Sequence, residues 1–324
     1  MPSPQLTRSH QLRFVGDWGG ANFHRICSWL TEEFCKRSGP RSRVTISSIR
    51  DGGIEAISLV EDGEADLCIA TPAMLMPQAL AGQGIFKDRA APHLRALAVL
   101  PQSDRMVLAI RSDLHITSFE QLRRERPAIR IATSRSDGTS FIGYVARLFM
   151  QAHQISETTL AEWGASYVED VNPLHSLARM QRGETDAVLQ EAIMTPWWCD
   201  LVESGKVTLL PAEDDALAQL LSEHGLPSIP LPAGYWSNLK APLNALDFSD
   251  FLVLVRDDMP QHIANVLTWC LVETRETIEK QYRHLLPHRS PLSYPLVPQR
   301  MANAPIPLHT GAELYYREAG ILPG

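Results

Sequence analysis

Gly63-Glu64-Ala65-Asp66-Leu67-Cys68-Ile69-Ala70 and Gly183-Glu184-Thr185-Asp186-Ala187-Val188-Leu189-Gln190 lie 120 positions apart. Each reads as a helix end, a glycine turn and a short buried strand. The residues before them repeat the same order. Gln11–Val15 alternates as a strand, and a glycine turn at 16–21 leads into a helix from Asn22 to Lys36. Phe23, Ile26, Leu30 and Phe34 give that helix one apolar face, and Asn22 reads as its N-cap. A strand is expected at 43–49, then a turn at Asp51-Gly52-Gly53 and a helix marked by Ile54, Ile57 and Val60. In the second copy, Ile129–Thr133 is the strand and 134–140 the polar turn. Phe141, Val145, Leu148 and Ala152 mark the helix, 166–171 the next strand, and Leu174, Leu177 and Met180 the next helix. Two βαβαβ units follow from this, each a parallel-sheet lobe flanked by helices.

The length agrees. At 324 residues the chain exceeds one ordinary core, and two domains are expected. A net charge of -7 gives no attraction for a phosphate backbone, so nucleic acid is excluded as the main partner. The apolar run Phe251–Val255 is far shorter than the ~20 residues a membrane-spanning helix needs. Cys27, Cys35, Cys68, Cys199 and Cys270 are scattered and odd in number, and read as free thiols. No pair has zinc-site spacing, and no His-Glu-x-x-His, P-loop or Gly-x-Ser-x-Gly segment occurs. No metal and no cofactor are expected. The start, Met1 to His10, is polar and lacks the apolar stretch of an export signal. As encoded, the expected location is the cytoplasm; a trimmed or misassigned start would make it periplasmic.

In open α/β sheets, ligands sit beyond the carboxyl ends of the strands, where helices begin. The turns at 16–22, 50–54, 70–74, 134–140 and 190–197 occupy those positions. From them come the candidate ligand-binding residues. Asp17, Trp18, Gly19, Gly20, Asn22 and Phe23 open the first helix, and Asp51 and Thr71 follow the next two strands. Arg135, Ser136, Gly138, Thr139 and Ser140 form the second lobe's loop, with hydroxyls, amides and one guanidinium suited to a carboxylate. Glu191 ends a strand, and Trp197 and Trp236 offer aromatic faces. For each there is a structural alternative: helix capping for the small polar residues, solvation for the charges, and core packing for the aromatics.

Several segments resemble one family. The glycine turns, Asp51-Gly52-Gly53, Gly-Glu-x-Asp, Ser136-Asp137-Gly138-Thr139, Leu94–Ala98 and Phe251–Arg256 fall in its order. The most specific is Pro305-Ile-Pro-Leu-His-Thr-Gly311-Ala-Glu-Leu-Tyr-Tyr-Arg-Glu-Ala-Gly320. Together these resemble the TAXI solute-binding proteins, receptors of one class of TRAP transporters, over roughly residues 11 to 321. The resemblance implies a type II periplasmic-binding-protein fold with a ligand cleft between lobes. Lobe 1 would be 1–104 plus 252–324 and lobe 2 would be 105–251. It implies a monomer that closes over a small carboxylate or amino-acid-like ligand, with TRAP membrane subunits as partners. It implies no catalytic residues. The pattern departs from the family at Asp17-Trp18, at Arg135 and Asp137, and at Glu191, where the family has smaller or apolar residues. The competing expectation is a cytoplasmic enzyme on the same fold, such as a decarboxylase of an aromatic acid, with Asp17, Asp51, Arg135 and Glu191 as acid, base and anchor.

Overall fold

The computed structural model describes residues 2–16, 22–49, 53–193 and 195–323. The chain divides into two compact units, Met1–Ser103 with Ser249–Gly324, and Asp104–Phe248.

The chain enters the first unit through β1 (Gln11–Val15), α1 (Asn22–Lys36), β2 (Arg43–Ser47), α2 (Ile54–Glu61) and β3 (Leu67–Ala70). α3 (Met76–Ala81) and β4 (Leu94–Leu100) complete this first passage. α1 buries Phe23, Ile26, Leu30 and Phe34, the face its spacing predicts, together with Cys27 and Trp29. Asn22 is the first helical residue rather than the residue before it, so it does not cap α1. β2 stops two residues earlier than expected, at Ser47.

The second unit runs β5 (Arg105–Arg111), α4 (Phe119–Glu125), β6 (Arg130–Ser134), α5 (Phe141–Ala152), α6 (Glu157–Glu162) and β7 (Ser166–Asp170). It continues with α7 (Pro173–Gln181), β8 (Ala187–Glu191), α8 (Pro196–Glu203), β9 (Val207–Leu210), α9 (Asp214–His224) and β10 (Leu246–Asp247). The chain then returns to the first unit as β11 (Phe251–Arg256), α10 (Gln261–Glu273), α11 (Arg275–Glu279), α12 (Pro298–Met301) and α13 (Thr310–Glu318).

The two sheets share a plan. The first has strand order β2-β1-β3-β11-β4, and the second β10-β5-β8-β6-β7, with β9 also on β5. In each, three parallel strands of one βαβαβ unit are followed by an antiparallel strand, β11 or β5. That fourth strand is the first element after the chain has passed from one unit to the other.

The repeated tetrapeptide has one physical job in both copies. Asp66 Oδ2 accepts the Arg13 backbone N–H at 2.6 Å, and the Asp66 N–H donates to the Arg13 carbonyl at 2.8 Å. Asp186 does the same with Arg130, at 2.9 Å and 2.9 Å. The arginine side chains return to the same carboxylates. Gly63 and Gly183 both sit at φ +72°, the left-handed conformation that ends the preceding helix and that only glycine adopts without strain. The motif therefore locks the third strand beside the first.

Helix α5 departs from its expected stripe. Ile142, Ala146, Phe149 and Met150 are buried with Phe141 and Val145, while Leu148 and Ala152 are only half-buried. α5 packs on β6, β8 and α9, so its apolar face is wider than one sheet requires. Buried side chains of this size each contribute about 1.5–3 kcal/mol by leaving water.

The C-terminal segment that carries the specific resemblance closes the first core. Tyr315 and Tyr316 are fully buried, and the Tyr316 hydroxyl donates to the Leu97 carbonyl at 3.1 Å. Gly311 opens α13 against α10; a Cβ there would stand 2.3 Å from the Gln261 carbonyl oxygen. His309 caps α13, its Nδ1 accepting the Gly311 N–H at 3.0 Å. No disulfide joins the five cysteines, and Cys27, Cys68 and Cys270 are buried.

Candidate functional site

The polar groups of the second unit gather where β6, β7 and β8 end. Gln190 is fully buried, and its Nε2 donates to Ser134 Oγ at 3.1 Å and to Ser176 Oγ at 3.0 Å. Ser176 donates onward to Asp170 Oδ2 at 3.2 Å, and Arg179 Nε reaches Asp170 Oδ1 at 3.0 Å. This chain of bonds ties the ends of all three strands to α7, and a satisfied buried network of this kind is rigid.

The loop 135–140 is carried on that base. Ser140 is buried and caps α5, accepting the Gly143 N–H at 3.4 Å. Asp137 turns inward on the loop, where Oδ1 accepts the Thr139 hydroxyl at 2.5 Å and its N–H at 3.1 Å. Those bonds hold the Asp137 carboxyl below its usual range. Ser136 is exposed, and its N–H donates to Glu169 Oε1 at 3.3 Å. Gly138 lies at φ +84°. Arg135 is half-buried and has no hydrogen-bond or ion-pair partner among the described residues. So the loop offers one guanidinium free of hydrogen bonds, with the Asp137 carboxylate as its electrostatic neighbour, beside the positive end of a twelve-residue helix.

Gly143 sets this geometry, and the sequence reading missed it. A Cβ on it would lie 1.7 Å from the Arg135 carbonyl oxygen and 2.9 Å from that of Ser134. Only hydrogen fits where α5 crosses the end of β6. The available signal was a glycine in the first turn of an otherwise apolar helix.

Glu191 ends β8 and is half-buried. Its backbone carbonyl accepts the Trp198 Nε1–H at 2.7 Å, and the next carbonyl, of Ala192, accepts the Tyr235 hydroxyl at 3.1 Å. β8 pairs antiparallel with β5, Met106 opposite Glu191, which brings Glu191 to the sheet end of Asp104, a fully buried residue that the sequence reading passed over. Burial raises both groups: Glu191 to about 7, and Asp104 well above its ordinary value, with the Glu191 charge adding to the effect.

The aromatic candidates separate. Trp197 is 42% exposed on the first turn of α8. Trp236 is fully buried, packed against Trp198 and Tyr235 with ring centroids 5.8 Å and 4.8 Å away. It serves the core of this unit.

In the first unit, Asp17, Trp18, Gly19, Gly20 and Asp51 lie outside the described residues. Asn22 Oδ1 accepts the Tyr282 hydroxyl at 2.6 Å. Phe23 packs in the core, edge-on to Phe251 at 5.2 Å. Thr71 follows β3 and accepts from Gln102 Nε2 at 3.0 Å. Gln102 is 3% exposed, and its Oε1 meets no donor among the described residues. His24, also unmarked by the sequence reading, lies over Gly16 and reaches Ser48 Oγ with Nε2 at 3.1 Å.

A surface groove of about 790 Å³ exists elsewhere in the second unit, lined by Arg111, Asp113, Arg182, Asp200 and Lys206 among others. It lies at the carboxyl end of β5, before the start of β8 and at the start of β9. Arg111 is paired with Asp113 and Asp186, and Arg182 with Glu184. Its mixed and largely neutralised charge makes it a weaker ligand site than the carboxyl ends of β6, β7 and β8.

The NMT1-like family matches residues 24–320, almost the whole chain. The chain belongs to the NMT1-like family. No curated protein shows significant sequence similarity to this NMT1-like chain. It is similar in structure to a protein described as a periplasmic transporter, with 13% identity, 96% of this chain and 93% of the other covered, and a TM-score of 0.52. It is also similar to XAC2383 from Xanthomonas citri bound to ATP, at 14% identity, 90% and 93% coverage and a TM-score of 0.51. A TctC solute-binding protein from Polaromonas aligns at 11% identity, 89% and 91% coverage and a TM-score of 0.50. These likenesses show the fold: the NMT1-like chain has the α/β architecture of the type II periplasmic solute-binding proteins.

Proposed function

We propose that this NMT1-like chain is a solute-binding protein for a small carboxylate-bearing metabolite, of the TAXI type that serves TRAP transporters. The observation that carries the carboxylate is the loop 135–140. It combines a half-buried guanidinium without a hydrogen-bond or ion-pair partner among the described residues, hydroxyl groups and the start of α5. A carboxylate on this loop gains charge-assisted hydrogen bonds and the favourable end of the helix dipole. Arg135 anchors the ligand and the hydroxyls of Ser136 and Ser140 orient it. Binding and release without covalent chemistry follow from the same reading.

A thermal-shift screen of mono- and dicarboxylates and amino acids tests it. A ligand at 100 times its dissociation constant stabilises the folded protein by about 2.7 kcal/mol. At least one compound is expected to raise the melting temperature, and Arg135→Gln is expected to reduce that rise while leaving the ligand-free melting temperature unchanged. No shift with any carboxylate would sink the proposal.

A further inference from the structure

We propose that Asp104 is a positioning residue: it shares one proton with Glu191, holds that carboxyl at the end of β8, and makes the binding of an anionic ligand there a proton-linked event. Asp104 has no exposed surface. One of its oxygens, Oδ1, accepts the Arg105 N–H at 2.7 Å. The other, Oδ2, is buried and reached by no N–H or hydroxyl among the described residues. The strand register, with Met106 opposite Glu191, brings the Glu191 carboxyl to this side chain. Two carboxylates cannot bond to one another, so the contact requires a proton.

Arg105 is the countercharge beside Asp104, and its pull is weaker than the effects of burial and of the Glu191 charge. Arg105 on β5 spends its guanidinium on Asp247 Oδ1 of β10 at 3.0 Å and on the Asp104 and Ile229 carbonyls. Beside Glu191, β6 and α8 present Ser134, Trp198 and, through the following loop, Tyr235, none of them charged. The strand register places Met106 opposite Glu191, which fixes Asp104 at the same sheet end. With one shared proton the pair carries one negative charge and disfavours a carboxylate ligand; with a second proton it is neutral and does not. That consequence rests on the proposed function, whereas the shared proton does not.

Carboxyl-carbon NMR of the full-length, ligand-free protein reads the pair directly. At about pH 7.5, where free carboxyls are ionised, the Asp104 resonance is expected to be that of a protonated acid. It should move when Glu191 ionises, and Glu191→Gln should abolish that movement. An ionised Asp104 at this pH, or a resonance indifferent to Glu191→Gln, overturns the proposal. Succinate is the probe for the linked binding. Its dissociation constant is expected to rise from about pH 6 to pH 8, by up to about tenfold per unit for one linked proton, and Glu191→Gln should remove the slope. A pH-independent constant overturns the linkage. Succinate that fails to bind at any pH, with the NMR signature intact, overturns the proton-linked binding and leaves the shared proton standing.

Discussion

Gly143→Ala sets two physical effects against each other, and the structure decides between them. Helix propensity alone favours alanine by about 1 kcal/mol at an interior position. The added methyl carbon, however, would sit 1.7 Å from the Arg135 carbonyl oxygen and 2.3 Å from its carbon. Carbon–oxygen contacts settle at about 3.3–3.6 Å, so the two must separate by roughly 1.6–1.9 Å. The obstacle is backbone, not a flexible side-chain end. It belongs to the residue after β6, a strand held on both sides by β7 and β8. Overpacking of this kind costs about 1–3 kcal/mol, occasionally more. A 1.7 Å approach to backbone puts the cost at the upper end, about 3 kcal/mol, so the net expectation is a loss of about 2 kcal/mol, with the loop 135–140 displaced. Urea denaturation followed by tryptophan fluorescence measures it, since Trp163, Trp197, Trp198 and Trp236 all report from this unit. Gly143→Ala with stability equal to or above the wild type would refute the close-approach argument, because propensity would then have prevailed.

Two further outcomes follow from buried groups in the same unit. His153 is fully buried between Phe119 and Phe149, donates from Nδ1 to the Phe149 carbonyl at 2.7 Å and accepts the Glu213 N–H at Nε2 at 3.0 Å, so it is held neutral. Burial lowers its pKa to about 4. The unfolded chain therefore binds the proton first, and stability should fall as pH drops from about 6.5 to about 4, by up to roughly 3 kcal/mol from this group. Denaturation of the wild type and His153→Gln across that window checks it; a constant difference between them would contradict the assignment. Asp247→Ala would leave the Arg105 guanidinium buried without its carboxylate. A loss of about 3–5 kcal/mol is expected, and a variant as stable as the wild type in urea would show that the pair contributes nothing.

How much of this was legible beforehand can be judged residue by residue. The three-strand core of each sheet follows from periodicity and from the Gly-Glu-x-Asp repeat. The bonds the repeat makes are set by short βαβ connections, which a sequence pattern reflects. The family's C-terminal segment was legible as a likeness, but its role as packing for the first core was not. Asn22 and Phe23 were read as openings of a helix with a ligand role beside a structural one, and the structure commits their side chains to Tyr282 and Phe251.

Trp197 and Trp236 look alike in sequence, each near a turn. One is 42% exposed and the other fully buried, because only the packing of the 226–245 segment over α8 decides which ring meets solvent. Asp104 is the sharpest case. Nothing in Gln102-Ser103-Asp104-Arg105 marks a buried acid. Its partner, Glu191, is 87 positions away and arrives only when β5 pairs antiparallel with β8. The sequence by itself determined the repeated units, the order of elements along them and the turns that could hold a ligand, because local periodicity and turn residues reflect those features. The tertiary structure alone decided which groups in those turns are committed, which share a proton and which stay available. Burial and hydrogen bonding between distant strands exist only once the sheets have formed.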